Sequence, residues 1–171
     1  MSRAAASTLR LTAATAGAAP LIARVTLAAY EEYRETLVPP SGVFSESLAD
    51  VRAELARGGA VIVSLNATPA GCARYEPGPE RAYLYVGRIS VLPEYRGHGL
   101  AGALLGWLEA RAVALAIPEL QLGVRLNLPR NIDLYLRHGY QVFGYEDLPG
   151  HGRVSAWMRK CILPSHEGAG R

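Results

Sequence analysis

The sequence predicts an α/β protein with one mixed, mostly antiparallel central sheet of about seven strands and helices on both faces. Its 171 residues fit a single domain, residues 1–171, with a core over about 8–163. Half of the residues are hydrophobic and 19% are charged, enough to bury a core without a disulfide or a metal. Strand and helix patterns follow one another in the order β-α-α-β-β-β-α-β-α-β-β, which predicts a layered α/β fold.

The first third of the chain predicts one strand and two helices. Leu9–Ala13 is a short run that favours a strand, and Pro20–Thr36 shows apolar residues at helical spacing after an early proline. A Pro-Pro-Ser-Gly break precedes a second helix, Leu48–Arg57, which Ser47 caps. Residues 1–30 contain arginine and no acid, which is also typical of a transit peptide, but the strand and helix are the preferred interpretation.

The rest of the chain predicts a meander of three strands, a long helix, and then a strand, a short helix and a hairpin. Two proline-containing turns separate the meander strands, and Pro118 ends the long helix. The predicted strands are Ala60–Leu65, Gly71–Tyr75, Tyr83–Val91, Leu120–Val124, Tyr140–Tyr145 and Val154–Met158. The predicted helices are Gly99–Ile117 and Asn131–Arg137.

Charge and cysteine content exclude several classes of protein. The net charge is +3 and the arginines are scattered singly, so nucleic-acid binding is not expected. No segment reaches the roughly 18 uncharged apolar residues of a membrane helix. Cys72 and Cys161 form no C-x-x-C pair, and no His/Cys/Asp cluster has ligand spacing, so no disulfide scaffold or metal is expected. We expect a cytoplasmic monomer or homodimer without nucleic-acid or membrane partners.

The most informative segment, Val91 to Gly102, joins a strand to the longest helix and is rich in glycine. Glycines let consecutive backbone N–H groups converge, and a helix N-terminus adds about half a positive charge. Arg96 strengthens this field. The segment therefore predicts a binding site for a pyrophosphate.

Two other interpretations explain less of this segment. In one, Gly97 and Gly99 only shape a tight turn. In the other, Gly97-x-Gly99-x-x-Gly102 is a dinucleotide-binding fingerprint. That fingerprint starts directly after its strand and needs an acid after the next one, whereas five residues intervene here and Glu119 precedes the next strand. A nicotinamide dinucleotide is therefore not expected.

The same segment resembles the signature of the GNAT superfamily of acyl-CoA-dependent N-acetyltransferases, Arg/Gln-x-x-Gly-x-Gly/Ala after a strand ending in Val-x-Pro. Arg96, Gly99 and Ala101 match it. Residues 131–140, NIDLYLRHGY, are similar to the family's Asn/Ala-x-x-Leu-Tyr-x-x-x-Gly-Phe/Tyr. The order of elements agrees from about Leu9 to Met158. The resemblance implies a GNAT-like fold and acetyl transfer from acetyl-CoA to a primary amine of a small molecule or peptide.

The resemblance also implies a coenzyme site. The pantetheine arm would lie along the fourth strand like an added strand, and the loop would bind the pyrophosphate. The implied contacts are Ile89, Ser90, Val91, Arg96, Gly97, His98, Gly99, Leu100, Ala101, Gly102 and Asn131. Asn131 could instead cap the helix that begins there. Gly87 within a strand predicts a bulge, which in the family splays the fourth and fifth strands to admit the thioester.

Tyr135 matches the family's general acid, which protonates the departing thiolate; a phenol with a pKa of about 10 is protonated at neutral pH. The alternative is a tyrosine packed under the sheet. The base stays open, because Tyr85 and Gly123 occupy the two positions where members carry Glu. A water chain or one of several other groups remains as the base: Glu35, Glu46, Glu76, Glu146, Asp147 or His151. The missing acids leave a second hypothesis, a degenerate member that binds acyl-CoA as a sensor or interaction module.

Overall fold

Seven strands and four α-helices alternate along the chain in the computed structural model, which describes residues 7–163. The strands are β1 (Leu9–Ala14), β2 (Gly59–Leu65), β3 (Thr68–Pro77), β4 (Leu84–Val91), β5 (Glu119–Arg125), β6 (Gln141–Leu148) and β7 (Gly152–Cys161). The helices are α1 (Ala19–Tyr30), α2 (Leu48–Arg57), α3 (Leu100–Ala114) and α4 (Pro129–Arg137). The predicted order of elements is confirmed.

The strands form one sheet in the order β1-β2-β3-β4-β5-β7-β6. β4 and β5 are parallel because α3 carries the chain from the end of one to the start of the other, and every other neighbouring pair is antiparallel. The predicted fold class, a mixed and mostly antiparallel sheet of seven strands, is confirmed.

Helices cover both faces of this sheet, as predicted. α1 and α2 pack on one face through a cluster that includes Ile22, Val25, Val51 and Leu55. α3 packs on the other face through Leu104, Leu105, Leu108 and Ala112, and Tyr135 of α4 belongs to the same cluster. Adjacent strand residues point to opposite faces, so Cys72 belongs to the first cluster and Ala73 to the second. Within residues 7–163, no helix is long and apolar enough to cross a membrane.

Several predicted boundaries need correction, including the start of β3, which lies at Thr68 rather than Gly71 because Thr68 already pairs with Leu65 of β2. α1 ends at Tyr30 rather than Thr36, because the chain tightens into a 3-10 turn at Glu31–Tyr33. α3 ends at Ala114 rather than Ile117, because Ala116 adopts a left-handed conformation with φ of 55°, which stops the helix before Pro118. The strands of the final hairpin are longer than predicted, since cross-strand pairing continues to Leu148 and Gly152.

A bulge in β4 positions the candidate site. Cys72 of β3 pairs with Ser90, but Arg74 pairs with Gly87, so β4 holds one residue too many at this point. Arg88 in the bulge has a φ of 52°. β4 pairs with β5 through Leu84 and Tyr85 and then separates from it. The predicted bulge and splay are confirmed, and they open a gap in the middle of the sheet.

Candidate active site

A cleft of about 1210 Å³ occupies the gap between β4 and β5. The end of α1, the loop over residues 37–42, the N-terminus of α3 and most of α4 complete its walls. The cleft brings together most of the predicted site residues: Ile89, Ser90, Val91, Arg96, Gly97, Gly99, Leu100, Ala101, Gly102, Asn131 and Tyr135. Their roles remain predictions, but they do lie around one cavity.

The N-terminus of α3 presents unpaired backbone donors. Gly97 and Gly99 have φ values of 78° and 75°, a conformation that glycine adopts without strain. Among residues 7–163 no side chain caps this helix, and its first intrahelical bond runs from the Ala103 N–H to the Gly99 carbonyl oxygen over 3.0 Å. Space is open where a Cβ would lie on either glycine. The loop is therefore accessible, positively polarised and able to hold an anionic group of the size of a diphosphate.

Arg96 fastens this loop to α1 as well as charging it. Its guanidinium pairs with the Glu32 carboxylate and donates to the carbonyl oxygens of Val91, over 3.2 Å, and Ala29, over 3.3 Å. Sequence reasoning missed Glu32, which lies 64 positions earlier in the chain and carries no motif. The pair places the negative charge of Glu32 beside the loop at the N-terminus of α3.

His98 and Asn131 stand apart from the other predicted contacts. The His98 side chain is exposed and does not line the cleft; its Nδ1 lies 3.1 Å from the carbonyl oxygens of Tyr95 and Arg96. A backbone role for His98 stays a prediction. The alternative in which Asn131 caps α4 is wrong, because the helix begins at Pro129 with Leu128 in the cap position. Asn131 is the third helical residue and lines the cleft.

Tyr135 reaches the cleft from beneath the sheet. Its side chain is buried in the core on the α3 side, yet it is one of the residues that line the cavity. Burial raises the pKa of its phenol well above the usual value of 10, with smaller contributions from neighbouring tyrosines. The phenol of Tyr135 is therefore neutral across the physiological pH range.

Besides Tyr95 of the segment before α3, three more tyrosines that were not predicted as site residues line the cleft: Tyr30, Tyr33 and Tyr85. Burial raises the pKa of each of these three, and Arg88 partly offsets this effect at Tyr30 and Tyr85. Tyr85 also packs near Trp157, with ring centroids 6.1 Å apart. No local motif distinguishes these tyrosines from core residues, since strands and helices from distant parts of the chain bring them together.

The candidate bases differ in their access to the cleft and in their ion-pair partners. Glu146 of β6 lines the cleft and has no ion-pair partner within residues 7–163. Glu76 pairs with Arg57 over 2.9 Å, and Glu46 is bound by Arg74. The others, Glu35, Asp147 and His151, are exposed and do not line the cleft. Glu146 is therefore the candidate with both access and a free carboxylate.

A buried arginine anchors the loop between α1 and α2, part of which lines the cleft. Arg74 of β3 is fully buried and donates to both carboxylate oxygens of Glu46, over 2.8 Å each, and to Glu54 of α2 over 2.7 Å. Burial lowers the pKa of the Arg74 guanidinium, but the hydrogen bonds to the two carboxylates more than offset this and raise it. Sequence reasoning missed this cluster, whose members are 20 and 28 positions apart.

Metal ligands and paired cysteines are not found at this site. Across residues 7–163, no group of three or more His, Cys, Asp or Glu side chains could hold a metal ion. Cys72 is buried beside Thr26 and Cys161 is exposed, and both are free thiols.

Comparison with known proteins agrees with the fold. The model of the acetyltransferase (GNAT) family matches residues 27–140, a span that runs from α1 to the end of the second motif. The S-alkylcysteine N-acetyltransferase of Bacillus subtilis (strain 168) is 32% identical over 89 residues. The match spans 50% of this chain and 49% of that relative, about half the length of each.

Two solved structures share the fold at low sequence identity. The ribosomal-protein-S18-alanine N-acetyltransferase from Escherichia coli superimposes with a TM-score of 0.75 at 18% identity, covering 96% of this chain and 100% of that one. The Salmonella typhimurium protein yncA, solved with its cofactor acetyl-CoA, superimposes with a TM-score of 0.70 at 16% identity. That match covers 96% of this chain and 99% of yncA. These likenesses concern the fold.

Proposed function

Because the chain belongs to the acetyltransferase (GNAT) family, we propose that it transfers an acetyl group from acetyl-CoA to a primary amine of a small molecule or peptide. One observation carries this proposal: a single cleft holds both the unpaired donors at the N-terminus of α3 and the neutral phenol of Tyr135. The donors suit the diphosphate of the coenzyme, and the gap beside β4 suits its extended arm.

The proposed coenzyme site uses backbone groups more than side chains. The diphosphate binds the loop from Arg96 to Gly102, and the pantetheine arm runs beside Ile89, Ser90 and Val91. Asn131 approaches from α4. The separation of β4 from β5 supports this placement, because it leaves β4 backbone groups without a neighbouring strand. The Val91 carbonyl already accepts from Arg96, so the arm competes there with a side chain.

Tyr135 is the proposed general acid. Bound acetyl-CoA supplies a thioester, whose carbonyl carbon is attacked by the amine and whose sulfur departs. Tyr135 donates its phenolic proton to that sulfur as the bond breaks, which avoids release of a free thiolate. Its place on the lining of the cleft supports the role, and a phenol is already protonated at neutral pH.

Glu146 is the proposed proton acceptor on the amine side. An ammonium group must lose a proton before its nitrogen can attack, and Glu146 takes this proton directly or through a water molecule. As the C–N bond forms and the C–S bond breaks, the nitrogen loses a second proton, which returns to Tyr135 through solvent. The products are an amide and a free thiol, with one proton released to solvent.

A small-molecule acceptor and a single domain complete the proposal. The Bacillus subtilis relative is named for S-alkylcysteine, a small molecule, which favours a small acceptor over a peptide.

We take residues 1–171 as one acetyltransferase domain that acts in the cytoplasm as a monomer or homodimer. The location rests on the cysteine content, since unpaired cysteines suit a reducing compartment.

Turnover of an amine panel with release of free thiol tests the function. Calorimetry with acetyl-CoA runs in parallel. Micromolar coenzyme binding and amine-dependent thiol release are expected. Binding without turnover of any amine would support the alternative, a degenerate member that senses acyl-CoA, and absence of binding would contradict both.

A further inference from the structure

The acceptor side of the cleft contains two arginines whose charges are poorly compensated. Arg88 of β4 and Arg125 of β5 both line the cavity. Both guanidinium groups approach the loop between α1 and α2: Nη2 of Arg125 donates to the Pro39 carbonyl oxygen over 2.5 Å, and Nη2 of Arg88 lies 3.1 Å from where a Cβ on Gly42 would be. Two cations therefore face the region where an acceptor would enter.

Arg88 is held at this place against its backbone preference. It adopts a φ of 52° in the β4 bulge, a conformation in which glycine or asparagine is more common. Its nearest carboxylate is Glu46 at 3.8 Å, beyond hydrogen-bond distance, and that carboxylate already accepts two hydrogen bonds from Arg74. The side chain is 32% exposed. Arg88 can therefore bind an anion without breaking a strong ion pair.

Arg125 has no carboxylate partner within 4.0 Å among residues 7–163, and its Nε is buried without a hydrogen-bond partner. Its neighbours in the sheet complete a row across three strands. Arg125 pairs with Ser155 of β7, and Ser155 pairs in turn with Glu146 of β6. With neighbouring strands about 4.8 Å apart, Arg125 and Glu146 are roughly 10 Å apart at their backbones. The row thus presents a cation and an anion on the same face, separated by a hydroxyl.

We propose that the acceptor is an amino acid, an amine that carries its own carboxylate. Arg88 and Arg125 bind the carboxylate, while the amine lies toward Glu146. The inference deepens the proposed acetyl transfer and rests on it. The pattern of charge favours this class over a plain amine, which leaves both arginines without an anion, and over a peptide N-terminus, which has no adjacent carboxylate.

Matched substrate sets test the proposal on the wild-type protein. Each set contains an amino acid, its amide and the corresponding decarboxylated amine, for example phenylalanine, phenylalaninamide and phenethylamine, with parallel sets of other side chains. Thiol release at saturating acetyl-CoA gives kcat/KM for each compound. We expect the preferred set to favour the amino acid by about 10- to 100-fold over its two analogues, since hydrogen bonds to a charged group contribute on this scale. Equal rates for all three compounds would overturn the proposal.

Arg88→Gln and Arg125→Gln then locate the preference, with Arg52→Gln as the matched control on the exposed surface of α2. The ratio of kcat/KM for the amino acid to kcat/KM for the decarboxylated amine should fall at least fivefold in each cleft variant and stay the same in the control. A preference that survives either cleft substitution would contradict this assignment. Because the wild-type comparison needs no variant, a folding defect leaves the proposal testable. Turnover of plain amines alone would support acetyl transfer and contradict the amino-acid acceptor. Absence of turnover with every compound would contradict both proposals.

Discussion

The rings of Tyr135 and Tyr140 pack edge to face, with centroids 6.0 Å apart and an interplanar angle of 65°. Both side chains are buried, and burial raises the pKa of each phenol, with a further contribution from Glu109 at Tyr140. The hydroxyls differ in their surroundings. Tyr135 lines the cleft, whereas the Tyr140 hydroxyl is enclosed and has no hydrogen-bond partner within residues 7–163. The pair therefore allows catalysis and packing to be tested on adjacent rings.

Tyr135→Phe should reduce kcat by about 10- to 1000-fold with little change in coenzyme affinity, because the hydroxyl acts mainly in the transition state. Steady-state kinetics and calorimetry with acetyl-CoA measure the two quantities. Tyr140→Phe is the matched control and should keep wild-type turnover. A Tyr135→Phe protein with wild-type kcat on a true substrate would show that this tyrosine serves only packing.

Tyr140→Phe should leave the free energy of unfolding unchanged or raise it by up to about 1 kcal/mol, since the lost hydroxyl has no partner to abandon. The stability advantage of Tyr140→Phe over wild type should grow above about pH 10. There the unfolded chain loses the phenolic proton, while the folded chain keeps it because its pKa is raised, so wild-type stability falls as pH rises. Urea unfolding at pH 8 and pH 10.5 measures this effect. A variant less stable than wild type at both values would mean that the hydroxyl does have a partner.

Local patterns account for the parts that sequence predicted well. The bounds of α2 agree fully, because the capping box between Ser47 and Asp50 spans only three positions. The glycine loop was identifiable for the same reason, since the proposed diphosphate site depends on consecutive backbone groups. The Arg74 cluster and the pair of Arg96 with Glu32 were not predictable, because their members meet only after the sheet and α1 have assembled.

Gly99→Val should weaken acetyl-CoA binding at least tenfold. Its φ of 75° strains any β-branched residue, and the added side chain enters the space that the proposed diphosphate needs. Gly150→Val is a matched control, because Gly150 has a φ of 79°, equally open surroundings and a position outside the cleft. Calorimetry on both folded variants measures the affinity. A folded Gly99→Val protein that binds acetyl-CoA as tightly as wild type and Gly150→Val would contradict the placement of the diphosphate on this loop.

Arg74→Met should lower the free energy of unfolding by about 3–5 kcal/mol, as expected when a buried ion pair loses one partner. The substitution keeps an unbranched side chain in the core but leaves Glu54, which is 19% exposed, without a cation. Glu46, which is 13% exposed, keeps only the more distant Arg88 at 3.8 Å. Arg57→Met is the control: Arg57 is 61% exposed and its pair with Glu76 should contribute less than about 1 kcal/mol. Urea unfolding gives both values. A loss at Arg74 no larger than at Arg57 would show that methionine packing compensates for the buried network, and that the loop beside the cleft does not need this anchor.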